Sequence, residues 1–220
     1  MRGPSADEVR SRLVPRLLAP DVAFNASNFL MGFGTQEKLL AIAEYGETYR
    51  PAAVLVPLIA HDREVTVLLT RRSAHLPDHG GQISFPGGRL EEGDADAVEA
   101  ALREAREEVG LPSDYVSVLG AMEQRGTNSN YRVTPIVALA DPFTPVPQEE
   151  EVADIFEVPL SFVLDRANHK FLKHGPDGRS DPMYSIPYGE WFIFGFTARI
   201  LIRLAQLWHG ERPLKDSTGT

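Results

Sequence analysis

The segment Asp94 to Leu111, DADAVEAALREAREEVGL, constrains the fold more than any other stretch, because it specifies a helix that carries acids where a helix tolerates them least. Asp94 or Asp96 can cap its start, Glu99 follows Asp96 at the distance of a capping-box acid, and Gly110, Leu111 and Pro112 supply a C-terminal stop. At about 100° per residue, Val98, Leu102, Ala105 and Val109 make a narrow apolar stripe. Glu104, Glu107 and Glu108 fall on an adjoining face roughly 100° wide, so three carboxylates converge. Glu104 repels Glu107 and Glu108 at i+3 and i+4 by ~0.2–0.5 kcal/mol each, and the helix dipole disfavours each of these C-terminal acids by a further ~0.3–1 kcal/mol. Arg103 can offset part of this by pairing with Glu107 at i+4 and Glu99 at i−4. A divalent cation offsets more, because hard cations take oxygen ligands and Mg²⁺ keeps several waters while binding carboxylates and phosphate oxygens. Taken alone, the helix reads more simply as a solvated acidic face, so its surroundings must decide.

Those surroundings read as a sheet. Ala52 to Ala60 and Val65 to Thr70 are apolar, β-branched runs separated by His61-Asp62-Arg63-Glu64, a hairpin pattern. Further strands are predicted at Val116 to Glu123 and Val133 to Ala140, with a polar loop around Gly126, Asn128 and Asn130 between them. A Pro-rich connector, Asp141 to Pro147, leads to another strand at Val152 to Val158. The C-terminal third predicts a hairpin around Gly175-Pro176-Asp177-Gly178, a closing helix from about Phe196 to Trp208, and a polar, frayed tail. Ahead of the sheet, Val9, Leu13, Leu17 and Leu18 recur at near-helical spacing interrupted by Pro15, and Thr35 can cap a second helix through Leu39, Leu40 and Ile42. The organisation expected is an N-terminal helical extension over 1–50 packed on the core, a catalytic domain over 51–210 and a tail over 211–220.

Charge and composition remove several function classes. The chain holds no cysteine, so disulfides, thiolate nucleophiles and Cys-ligated metals are out, and any metal needs oxygen or histidine ligands. A net charge of -9 argues against nucleic acid or an anionic membrane as partner, so cations must mediate contact with any polyphosphate. No stretch approaches the roughly 20 apolar residues of a membrane span, and the N-terminus lacks an apolar signal region. A cytoplasmic protein, monomer or homodimer, acting on a small molecule is expected.

The acidic helix follows Phe85-Pro86-Gly87-Gly88 and ends in Arg103-Glu104-Ala105-Arg106-Glu107-Glu108-Val109-Gly110-Leu111. This resembles the Nudix box: a glycine, five residues, an acid, a spacer, then R-E-U-x-E-E-x-G-U with U apolar. Gly88, Asp94 and Arg103 fit it with two departures, an aspartate in place of the usual glutamate and a spacer one residue longer. The run LLTRRSAHLPDHGGQISFPGG, Leu68 to Gly88, is similar to the signature that precedes the box in the coenzyme A diphosphatase branch of Nudix hydrolases, through Arg72, Ser73, Gly81 and Phe85. Pro77 stands where that signature has arginine. The resemblance runs from about Arg50 to Leu204 and implies an α/β/α sandwich around a central mixed sheet, with Mg²⁺ or Mn²⁺ as cofactor. It also implies hydrolysis of coenzyme A or its thioesters to 3′,5′-ADP and 4′-phosphopantetheine, in which a metal bridges diphosphate oxygens and an activated water attacks one phosphorus.

Glu104 and Glu108 are the foremost metal ligands on this reading, with Glu107 as a third or as the carboxylate that activates water. Arg103 orients the acids, and Glu151 is the candidate distal carboxylate, although it is equally one acid in the run Gln148 to Glu151. Arg72, Ser73, Phe85, Gly87 and Gly88 are the candidate substrate contacts, the glycines through close backbone approach and a φ > 0 turn. Arg71, Arg72, His75 and His79 form the nearest cationic cluster. Trp191, Phe192, Phe194 and Phe196 fit core packing better than stacking on adenine, while Arg125, Tyr131 and Arg132 sit in a loop that could cover a substrate. The competing functions are a Nudix enzyme for ADP-ribose, a dinucleotide or NADH, and a Nudix-fold module that senses a nucleotide without cleaving it. The intact acids argue against the second.

Overall fold

The computed structural model describes residues 3–20, 49–76, 79–127, 130–172 and 183–212. The Thr35 helix, Pro77, the hairpin tip at Gly175–Gly178 and the tail from Lys215 to Thr220 lie outside them.

The two runs predicted as a hairpin form β1, Arg50–Ala60, and β2, Val65–Arg72, paired antiparallel with Ala60 opposite Val65. They then diverge. The other edge of β2 pairs with β8, Val152–Pro159, from Thr66 to Arg72, and the start of β1 takes a different neighbour. Into the resulting wedge run two short strands, β3 (Ile83–Ser84) on β2 and β4 (Gly87–Arg89) on β1. The opposite edge of β1 pairs in parallel with β7, Tyr131–Ala140, which continues antiparallel to β5, Val116–Ala121, and to β6, Arg125–Gly126. One parallel junction among antiparallel ones makes the central sheet mixed.

Because side chains alternate along a strand, β1 and β7 feed two cores. Ala53, Leu55, Ile136 and Ala138 face the acidic helix, α2, Ala97–Val109. Val56, Leu58, Val137 and Leu139 face the other layer, which holds α1 (Ala6–Leu13) and α4 (Gly195–His209). Between β8 and α4 lie the short α3 (Leu160–Leu164) and a second sheet of β9 (Lys170–Leu172), β10 (Met183–Tyr188) and β11 (Trp191–Phe194). The architecture is the α/β/α sandwich around a mixed sheet that the resemblance implies. The first helix stops at Leu13, short of the predicted Leu18: Pro15 opens a 3₁₀ turn, and Leu18 instead bridges Ala121 of β5. No helix among the described residues is long and apolar enough to cross a membrane.

Candidate active site

α2 begins where Asp96 accepts hydrogen bonds from the amides of Val98 and Glu99, and it ends at Gly110 in the left-handed conformation, φ 71°. Asp96 is therefore the cap, and Asp94 is free for another task. The buried face differs from the predicted stripe. Ala97, Ala100, Ala101, Ala105 and Val109 contact the sheet, while Val98 and Leu102 are only partly buried on the flank. Alanine lets the helix axis approach the sheet closely, a preference that hydropathy alone does not register. Centred on this face, at about 100° per residue, lie Glu104 and Glu108. They point inward. Glu107 lies to the side, with its side chain 52% exposed.

The three acids thus do not converge symmetrically, and among the described residues no three acidic or histidine side chains make a preformed metal cluster. Glu108 is 4% exposed, and burial, then the charge of Glu104, pushes its carboxyl up to about 8 against the partial relief given by Arg72. A hydrogen bond from the Gly87 backbone holds it. Burial likewise raises Glu104, offset in part by Arg103, with Glu107 and Glu151 adding repulsion. Glu151 therefore shares the electrostatic field of both inward acids. Its loop is tied down: the amide of Gln148 bonds the Glu108 carbonyl, and the Ser73 amide bonds the Glu151 carbonyl.

Arg103 organises the outer rim. Its Nε and Nη2 grip both oxygens of Asp94 at 3.0 and 3.1 Å, Nη1 reaches Glu104 at 3.0 Å and Glu107 at 3.1 Å, and Nη2 also donates to the Arg89 carbonyl. The expected pairing with Glu99 is absent, since Glu99 accepts from the Ala95 amide instead. Arg103 holds the Asp94 carboxyl below the ordinary range. This aspartate is the positioning residue missed in the sequence; the nine-residue separation from Arg103 gave no helical-pair signal.

β4 explains the glycines. A Cβ on Gly87 would collide with the Ala53 carbonyl and the Val54 backbone, and a Cβ on Gly88 would occupy the place of the Glu104 carboxylate. Close approach is therefore the requirement, and the φ > 0 turn expected here is not found; both glycines are in strand. The other expected substrate contacts divide. Arg72 stands within electrostatic reach of Glu108. Ser73 is buried with its hydroxyl on the Glu149 carbonyl, and Phe85, 3% exposed, fills the core. These two support the site from behind. Arg71 is engaged by Asp154, His75 and His79 are exposed, and Trp191 stacks face to face on Phe156, as core packing requires. Arg125 lies in β6, and Tyr131 and Arg132 open β7.

Two inward acids against a glycine backbone, a third beside them and a distal carboxylate gather more acid than Arg103 and Arg72 offset, which is why the Glu104 and Glu108 carboxyls are raised. A buried charge without a partner costs several kcal/mol. The close approach of the Glu104 carboxylate to Gly88 and the all-oxygen donor set fit a hard divalent cation. A profile of the NUDIX domain matches residues 48–177. The chain belongs to the Nudix hydrolase family. The uncharacterized Nudix hydrolase NudL of Yersinia enterocolitica is 45% identical over 156 residues, 70% of this chain and 80% of that one. The NudL of Yersinia pestis is 42% identical over 163 residues, 74% and 81% of the two chains. A MutT/nudix family protein from Enterococcus faecalis superposes with a TM-score of 0.48 at 17% identity, over 78% of this chain and 68% of that one. As a Nudix hydrolase, the protein cleaves a diphosphate linkage in a small molecule, and use of a divalent metal is general in the family.

Proposed function

We propose that the protein is a coenzyme A diphosphatase that hydrolyses coenzyme A or acyl-CoA to 3′,5′-ADP and 4′-(acyl)phosphopantetheine with Mg²⁺ or Mn²⁺. The observation that supports this reading is where the Leu68 to Gly88 block meets the acids: its Arg72 stands beside Glu108, its Gly87 backbone bonds Glu108, and its Gly88 lies against Glu104. A bound divalent cation would neutralise charge on the diphosphate and acidify a water. Glu104 and Glu108 are the residues that would hold it, with Glu107 at the rim. Arg103 keeps Glu104 and Glu107 in register, and Arg72 faces the diphosphate oxygens. Glu151, on a loop fastened to Glu108, is the distal carboxylate of this reading, and it or Glu107 would take the proton of the attacking water. The water oxygen joins one phosphorus, the anhydride P–O bond breaks, and two phosphomonoesters leave. The catalytic unit is a domain over 51–210 in a cytoplasmic chain, and α1 packs against its core through Val9 and Leu13.

Product chromatography after incubation with coenzyme A, ADP-ribose, a dinucleoside polyphosphate and NADH, each with Mg²⁺, Mn²⁺ or chelator, tests the reading. Metal-dependent 3′,5′-ADP from coenzyme A alone is expected. Cleavage of another compound in the panel instead would replace the substrate, and silence across the panel would favour a nucleotide-sensing module.

A further inference from the structure

β4 continues from the glycines into Arg89, whose side chain does not join the metal carboxylates. Side chains alternate along a strand, so Arg89 emerges on the face opposite the direction in which Gly88 meets Glu104. There its Nε donates to the Tyr131 hydroxyl at 2.7 Å, with the guanidinium 5.4 Å from the ring centroid. Arg50, opposite Tyr131 in the β1–β7 register, places its own guanidinium 4.6 Å from the same ring. Both arginines are exposed, and among the described residues no carboxylate pairs with either. Two guanidiniums thus gather on one tyrosine, whereas Arg71, Arg103 and Arg203 lie on carboxylates.

We propose that Arg50, Arg89 and Tyr131 form a subsite for a phosphomonoester of the substrate, separate from the diphosphate that is cleaved. Planar guanidinium forks and a phenol hydroxyl match the oxygens of a phosphate dianion, and an anion there relieves the repulsion between the two arginines. The subsite is joined to the metal site by backbone: Gly88 and Arg89 are neighbours, about 3.8 Å apart at Cα, and Arg103 holds the Arg89 carbonyl. A substrate straddling the short β4 would thus put its diphosphate on the glutamate side and a second phosphate on the arginine side. Under the coenzyme A reading, on which the choice of ligand rests, that second phosphate is the 3′-phosphate.

Binding of products tests this independently of turnover. Titration calorimetry of wild type with 3′,5′-ADP and with AMP should show a preference for 3′,5′-ADP of about tenfold or more, the size of one or two charge-assisted hydrogen bonds. Arg50→Ala and Arg89→Ala should each reduce that preference to about twofold or less, the loss confined to 3′,5′-ADP, and Tyr131→Phe, the mildest change, should reduce it in part. Equal affinities in wild type, or equal weakening of both nucleotides in the variants, would overturn the proposal. If coenzyme A is not hydrolysed yet the preference and its loss are observed, the subsite stands and the substrate assignment falls.

Discussion

Two glutamates taken largely out of water in this molecule meet opposite fates. Glu123, two residues past the end of β5, would be raised by burial, but the fork of Arg203 grips both its oxygens at 2.6 and 3.1 Å and holds its carboxyl below the ordinary value. Glu108, on α2, has no such fork, and burial takes it up to about 8. The difference lies in what each site is for. A stability-driven site matches an acid with an arginine whose donors fit it. The α2 site uses the fork of Arg103 on Asp94, Glu104 and Glu107, and sets Arg72 within electrostatic reach of Glu108 without a fork on it.

The largest expected contrast is in activity. Glu108→Gln should lower diphosphate turnover by a factor of roughly 100 to 1,000 or more, in line with losing a charge that stabilises the transition state, whereas the folded protein should become slightly more stable without metal. A Glu108→Gln enzyme with near-native rates would remove Glu108 from the site. Arg203→Ala should do the reverse, costing about 3–5 kcal/mol in urea unfolding by stranding Glu123, with the pH and metal dependence of activity retained. A mild effect there would mean that the Glu123 pair is not a structural clamp.

Next comes pH. The unfolded Glu108 carboxyl titrates near 4.5 and the folded one near 8, so between these values the folded chain binds more protons. Its stabilising contribution is fully present below the unfolded value and is lost as pH rises through the folded one. Metal-free protein should therefore lose stability from pH 5 to pH 8.5, and Glu108→Gln should flatten that slope; identical slopes in chemical denaturation would contradict the assignment. Glu123 runs the other way, its contribution present above the ordinary carboxyl value and lost on acidification.

The smallest contrast separates the two glycines of β4. Gly87→Ala meets backbone and should cost stability by about 1–3 kcal/mol. Gly88→Ala meets the far end of the flexible Glu104 side chain, so it should impair turnover while shifting the melting temperature less. Equal losses of stability in both would show that Gly88 serves packing alone.

Much of this was legible in the sequence because the signals are periodic and local. The β1–β2 hairpin, β7, β8, α2 and α4 follow from alternation, helical spacing and stop signals. The wedge of β3 and β4 was not: two- and three-residue strands rich in glycine have no period, and only long-range register creates them. The acids on α2 were found, but their direction was misjudged, because Val98 and Leu102 outweigh alanine in hydropathy while close packing favours alanine. Ser73 and Phe85 belong to a recognisable motif, yet motif membership does not distinguish a residue that touches substrate from one that supports the residues that do.

On this reading α2 turns Glu104 and Glu108 inward for a divalent cation, with Arg103 on Glu104 and no arginine fork on Glu108. The most direct measurement is the melting temperature of wild type and Glu108→Gln at pH 7.5, each with and without Mg²⁺. A clear upward shift with Mg²⁺ is expected for wild type and little or none for the variant. Equal shifts in both would show that the cation binds elsewhere and that Glu108 is not its ligand.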